Sequence, residues 1–122
     1  MARIILADDD ELLAEAVRAV LSDAGHVVGV VPDGASAVQA IRLKRPHLAI
    51  LDISMPGLAG TDVVRQIRTS EVAYDIPILM LTAHRNKADE EIAMRSGADD
   101  YLTKPFDPDQ LVARVERLLA KG

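Results

Sequence analysis

The sequence predicts an α/β fold: a doubly wound, parallel five-stranded sheet with helices on both faces. Three observations predict it. Short runs of Ile, Leu, Val and Ala alternate five times with segments whose apolar residues recur at helical spacing. The central runs are apolar without interruption, as strands buried on both faces are. The connections are short, and with right-handed crossovers they make 2-1-3-4-5 the most economical strand order. The switch point of that order lies between the first and third strands.

The first run, Arg3 to Ala7, stops against Asp8-Asp9-Asp10-Glu11. A helix follows, with Leu13, Ala16, Val17, Val20, Leu21 and Ala24 at three- and four-residue spacing and Gly25 in the left-handed cap position. The second strand, Val27 to Val31, is β-branched apart from Gly29. Pro32-Asp33-Gly34 turns into a second helix with Ala37, Val38 and Ile41 inward. Lys44 and Arg45 suit its C-terminal dipole, and Pro46 ends it. The third strand, Leu48 to Leu51, runs into Asp52 and then Ile53-Ser54-Met55-Pro56-Gly57. Beyond Gly57 and Gly60 a third helix carries Val63, Val64 and Ile67, and Thr69 to Asp75 is a polar loop.

The fourth strand, Ile78 to Leu81, ends in Thr82-Ala83-His84. The fourth helix, Lys87 to Ser96, has only a thin stripe at Ala88, Ile92 and Met94, and Gly97 closes it. Asp100 to Thr103 is a short fifth strand leading to Lys104-Pro105-Phe106. Asp107-Pro108-Asp109-Gln110 reads as a helix start, with an Asp cap, Pro first and Gln three residues after the cap. The last helix then shows Leu111, Val112, Val115, Leu118 and Leu119.

Residues 1–122 form one domain, 49% hydrophobic and 27% charged, which excludes a disordered chain. With 2% aromatics the core must be aliphatic. A net charge of −5 disfavours direct binding to nucleic acid or to an anionic membrane. Zero Cys excludes a disulfide frame, thiol catalysis and thiolate metal sites. Met1-Ala2-Arg3 leads straight into the first apolar run, so neither a signal peptide nor a membrane span is expected, and the expected location is the cytoplasm. His26, His47 and His84 lack ligand spacing and are expected to face solvent.

Asp52 alone reads as a turn cap, Asp8-Asp9-Asp10 alone as a solvated helix start, and Thr82 and Lys104 alone as ordinary strand-end and loop residues. Their conjunction changes this. In the expected order these strand ends share one sheet edge, with Asp8, Asp9 and Asp52 close enough to repel one another unless a cation is present. An all-oxygen acidic cluster suits Mg²⁺. Lys104 adds an ammonium and Thr82 a hydroxyl. Together these are the components of phosphoryl transfer, with Asp52 as nucleophile and Asp8 and Asp9 holding the metal.

The whole chain resembles the receiver domain of two-component response regulators, whose sheet is flavodoxin-like. The matching segments are Ile4 to Asp10, Leu51 to Gly57 with Gly60, Leu81-Thr82-Ala83, and Gly97 to Phe106. The resemblance implies that Asp52 accepts a phosphoryl group from a histidine kinase or histidine phosphotransfer protein. It implies Mg²⁺ on Asp9, Asp52 and the Ser54 carbonyl, with Asp8 acting through water. Lys104 would bind a phosphoryl oxygen, Thr82 would move towards the phosphoryl group, and Tyr101 would follow as a rotamer switch. The Lys104–Pro105 bond would be cis.

Such a protein is not an enzyme beyond its own phosphorylation and slow dephosphorylation. Its output passes through the surface of helix four, strand five and helix five to a partner protein or a fused output domain, as a monomer or a phosphorylation-dependent dimer. Ala59 and His47 depart from the usual pattern away from the chemistry, while His84 occupies a variable position that influences phosphoryl lifetime. The alternative is a Mg²⁺-dependent phosphohydrolase forming an aspartyl phosphate. Those enzymes usually carry a second Asp two residues past the nucleophile, where this chain has Ser54.

Overall fold

The computed structural model describes residues 1–83 and 86–121. Strands and helices alternate throughout: β1 (Arg3–Ala7), α1 (Glu11–Asp23), β2 (Val27–Val31), α2 (Gly34–Lys44), β3 (Leu48–Leu51), α3 (Gly60–Arg68), β4 (Ile78–Thr82), α4 (Lys87–Ser96), β5 (Asp100–Thr103) and α5 (Pro108–Lys121). The strands form one parallel sheet in the expected order, β2-β1-β3-β4-β5. His84 lies outside the described residues.

Alternation along each strand divides the core into two layers, because successive side chains of a strand point to opposite faces. Ile5, Ala7, Ala49, Leu51, Ile78, Met80 and Tyr101 face one way and pack with Ala37, Val38 and Ile41 of α2 and Val63, Val64 and Ile67 of α3. Ile4, Leu6, Leu48, Ile50, Leu79, Leu81 and Leu102 face the other and meet Ala14, Val17 and Leu21 of α1 and Leu111, Val115 and Leu118 of α5. β3 and β4 are buried at every position. Each such Leu or Ile contributes about 1.5–3 kcal/mol by leaving water, so the middle of the sheet is its most firmly held part.

Side chains settle the helix ends. Asp10, Asp33 and Asn86 cap α1, α2 and α4 by accepting from Leu13 N, Ser36 N and Ala88 N. Asp107 accepts from Asp109 N at 2.8 Å at the start of α5. Gly25 and Gly97 carry the expected positive φ, 95° and 116°. Asp10 is thereby committed to the helix, which separates it from Asp8 and Asp9.

Three sequence expectations are corrected. In α1 the sheet takes Ala14, Val17 and Leu21, while Ala16 and Ala24 are exposed; alanine loses little by facing water, so it marks a stripe poorly. In α4 the inward residues are Ala93 and Ser96, and Ala88, Ile92 and Met94 are exposed. Small residues let the end of α4 approach α3 closely, and the Ser96 hydroxyl is satisfied by Ile92 O at 2.8 Å. His26 does not face solvent: it is buried, its Nδ1 accepts from Ala2 N at 3.1 Å, and its Nε2 meets Glu116 Oε1 at 2.8 Å. The exposed His47 accepts from Arg3 N at 2.9 Å in the same way.

Arg68, at the end of α3, ties the far end of the sheet together. Its guanidinium donates to Gly97 O, Tyr74 O, Ile76 O and Asp99 Oδ2, and Asp99 Oδ2 also accepts from Ile78 N. At the opposite end two glycines allow close backbone approach. A Cβ on Gly34 would lie 2.1 Å from Leu58 O, and one on Gly60 would lie 2.1 Å from Asp52 O. Neither contact can relax cheaply, since both meet backbone. Gly60→Ala is therefore expected to lower stability by about 1–3 kcal/mol. A urea midpoint unchanged from the parent would show that the turn after Asp52 is not held by this contact.

Candidate functional site

The parallel register creates the site. Ala7 lies beside Leu51 in the β1–β3 pair, and the ladder ends with Asp52 N donating to Ala7 O at 3.0 Å. The next residues, Asp8 and Asp52, therefore emerge side by side at the C-terminal sheet edge, at the switch point of the strand order. Both are buried, whereas Asp9 is exposed. One carboxylate oxygen from each of Asp8, Asp9 and Asp52 lies within 4.8 Å of the other two.

Lys104 closes the cluster from β5. Its backbone N–H donates to Thr82 O at 2.8 Å, which fixes the chain as it leaves the sheet. Its ammonium reaches Asp8 Oδ2 at 2.8 Å and Asp52 Oδ2 at 3.1 Å. The remaining oxygens are also engaged: Asp8 Oδ1 accepts from Asp10 N at 3.0 Å, and Asp52 Oδ1 from Ser54 N at 3.2 Å. Thr82 is fully buried at the end of β4. The Lys104–Pro105 peptide bond is cis, as expected.

The electrostatics follow from one ammonium serving several carboxylates. Burial raises the Asp8 carboxyl above its ordinary value, against the bonds from Lys104 and Asp10 N–H. Burial alone would lower the Lys104 ammonium, but the bonds and charges of Asp8 and Asp52 outweigh it and raise the group. The two shifts are compatible: burial dominates at Asp8, with the Asp52 charge adding to it, while the same two carboxylates hold the proton on Lys104. A cluster in this condition fits a hard divalent cation, with oxygen donors converging and negative charge in excess.

The structure thus brings Asp8, Asp9, Asp52, Thr82 and Lys104 to one edge. Ser54 meets Asp52 through its N–H. Tyr101 sits apart from them, two register steps back from Thr82: it pairs with Met80 in β4 and is buried in the α2–α3 layer. The sequence reading missed that Gly34 and Leu58 brace the loop after Asp52. The signal available was Gly34 directly behind the helix cap.

The family model described as "Response regulator receiver domain" matches residues 4–116. The chain belongs to this family. It is 44% identical over 120 residues to the DNA-binding response regulator MtrA of Mycobacterium tuberculosis, covering 98% of this chain and 51% of MtrA. It therefore spans about half the length of that relative. The receiver domain of Francisella response regulator 1452 superposes with a TM-score of 0.92 at 29% identity, covering 99% of this chain and 98% of that one. The receiver domain of the sensor histidine kinase PA1611 from Pseudomonas aeruginosa superposes with a TM-score of 0.91 at 31% identity, covering 98% of each. That structure holds a magnesium ion coordinated in its active-site cleft. The flavodoxin-like order, the receiver fold and the response-regulator class are thereby established for this chain. Among the described residues, no helix is long and apolar enough to cross a membrane.

Burial, followed by the charges of Asp89, Glu90 and Asp52, pushes the Tyr101 phenol up from 10.0 to about 12. The fold holds it neutral where the unfolded chain ionises it, so the unfolded state binds fewer protons between these values and stability falls as pH rises through that window. In Tyr74→Phe protein the one remaining tyrosine should titrate by ultraviolet absorbance near 12, and Tyr101→Phe should remove this part of the alkaline loss of stability. Titration near 10 would show that Tyr101 spends its time outside the core.

Proposed function

We propose that this receiver domain takes a phosphoryl group from a phosphohistidine donor onto Asp52. The observation that carries it is Asp52 itself: a buried carboxylate at the switch point, held by Ser54 N–H and sharing the Lys104 ammonium with Asp8. A carboxylate oxygen of Asp52 attacks phosphorus as the P–N bond to the donor imidazole breaks, its electron pair returning to the ring nitrogen. Lys104 turns from the carboxylates to a phosphoryl oxygen, and Thr82 supplies a hydroxyl donor at the same rim. Asp9, Asp52 and the Ser54 carbonyl would hold Mg²⁺, with Asp8 acting through water. The ion, when bound, supplies positive charge to the equatorial oxygens. The chemistry is confined to self-phosphorylation and slow self-dephosphorylation.

The output surface is α4, β5 and α5. α4 is held by few buried groups, Ala93 and Ser96, so little opposes its movement. β5 and α5 are joined by Asp100, paired with Arg114 at 2.9 Å and Arg117 at 2.6 Å. Thr82 and Tyr101 connect the acceptor to this surface. The donor is a sensor histidine kinase or a histidine phosphotransfer protein in the cytoplasm. The recipient is a protein target or an output domain, such as the DNA-binding part that MtrA's name implies. Its net charge of −5 disfavours direct contact of this domain with nucleic acid.

Incubation with Mg²⁺ and a small phosphodonor should add one phosphoryl group that is acid-stable and base-labile by mass spectrometry. An adduct that survives Asp52→Asn would overturn the assignment. Without metal the carboxylates repel one another, so Asp9→Asn should melt higher than the parent in chelator. Mg²⁺ should stabilise the parent alone, by about 2.7 kcal/mol at a hundredfold excess over Kd. Equal melting of both proteins with and without Mg²⁺ would remove Asp9 from the ligand set. Thr82→Ala should still be phosphorylated but should lose the change in partner affinity. Full switching by that variant would exclude the route through Thr82.

A further inference from the structure

An apolar groove of about 860 Å³ runs along the surface between α2 and α3. Ala35, Val38, Leu43 and Leu58 give it an apolar lining, and Gln39, Arg42 and Gln66 edge it. Leu43 is 78% exposed, a large apolar side chain left in water beside a groove that could cover it. The groove belongs neither to the acidic cluster nor to the α4–β5–α5 surface.

Its charge is unlike the rest of the chain. From Gly34 to Arg45 there is no acidic residue, while Arg42, Lys44 and Arg45 are all exposed. Arg3 adds a fourth cation by donating to Lys44 O and Arg45 O at 3.2 and 3.4 Å. Among the described residues none of these four side chains has an ion-pair partner. In a chain of net charge −5, the end of α2 is thus a concentrated, uncompensated positive patch joined to an apolar groove.

We propose that this groove receives an acidic amphipathic helix of a partner protein, its apolar face against Ala35, Leu43 and Leu58 over a floor formed by Val38, and its carboxylates against Arg42 at the rim and the cations that end α2. An extended peptide would lay its own N–H and C=O groups on apolar side chains with no ladder partner, whereas a helix satisfies its backbone internally. Two neighbouring helices also offer the ridged surface into which a third packs. Nucleic acid fits poorly, because the lining has no aromatic to stack a base. A membrane fits poorly, because Leu43 is the only large, strongly exposed apolar side chain of α2.

The test is an amide-shift titration with a synthetic amphipathic peptide, leucines at i, i+3, i+4 and i+7 and glutamates on the flanks. The expected result is shifts confined to Ala35 to Leu43 and Gly57 to Gln66, with binding weakened at least about tenfold by Arg42→Glu and by Leu43→Glu. Both positions are exposed, and unchanged melting will confirm that the variants are folded. Asp52→Asn should bind as the parent does, which separates this proposal from the acceptor assignment. Equal binding of the peptide with lysines for glutamates would overturn it. So would shifts on another face, no shifts, or insensitivity to either variant. The same holds if a single-stranded oligonucleotide or phosphatidylglycerol vesicles shift these amides in preference to the acidic peptide.

Discussion

One ammonium group between two buried carboxylates governs the top of this molecule. Lys104 approaches Asp8 and Asp52 at hydrogen-bond distance from a strand two places away in the sheet from β3. Removing such charges from water is costly unless each is paired and hydrogen-bonded. Here each carboxylate oxygen of Asp8 and Asp52 also meets either the ammonium or a backbone N–H. The arrangement requires β1, β3, β4 and β5 to end level with one another, so sheet register and site chemistry form a single constraint.

The fold was legible because its signals are redundant. Uninterrupted apolar runs, the glycines past helix ends and the Asp107-Pro108 helix start mark consistent boundaries, and β1, β2, β3 and β5 begin and end where the apolar runs place them. The acidic site was legible for a related reason: the residues ending each strand are polar where the runs before them are not. The sheet order then decides which of them meet.

What escaped the sequence was decided by tertiary contact. Whether Ala14 or Ala16 faces the sheet depends on how α1 settles, since alanine's preference for either side is small. α4 turned Ala93 and Ser96 inward because close approach to α3 mattered more there than burying Ile92. His26 was unreadable for another reason. A histidine gives no periodic signal, and its burial depends on Ala2 N–H and Glu116, the latter far along the chain.

The clamp built around Arg68 gives α4 the mechanics of a cantilever. Its C-terminal end is pinned where Arg68 grips Gly97 O, and its N-terminal end, beyond the last residue of β4, rises towards the acidic cluster. A helix of 10 residues is a lever arm of about 15 Å. A turn of about 10° about the pinned end carries the other through roughly 3 Å. Displacement about such a pivot would grow along the helix from Gly97 towards Lys87 and vanish at the clamp, so the α4 residues farthest from Arg68 are the ones with the longest reach.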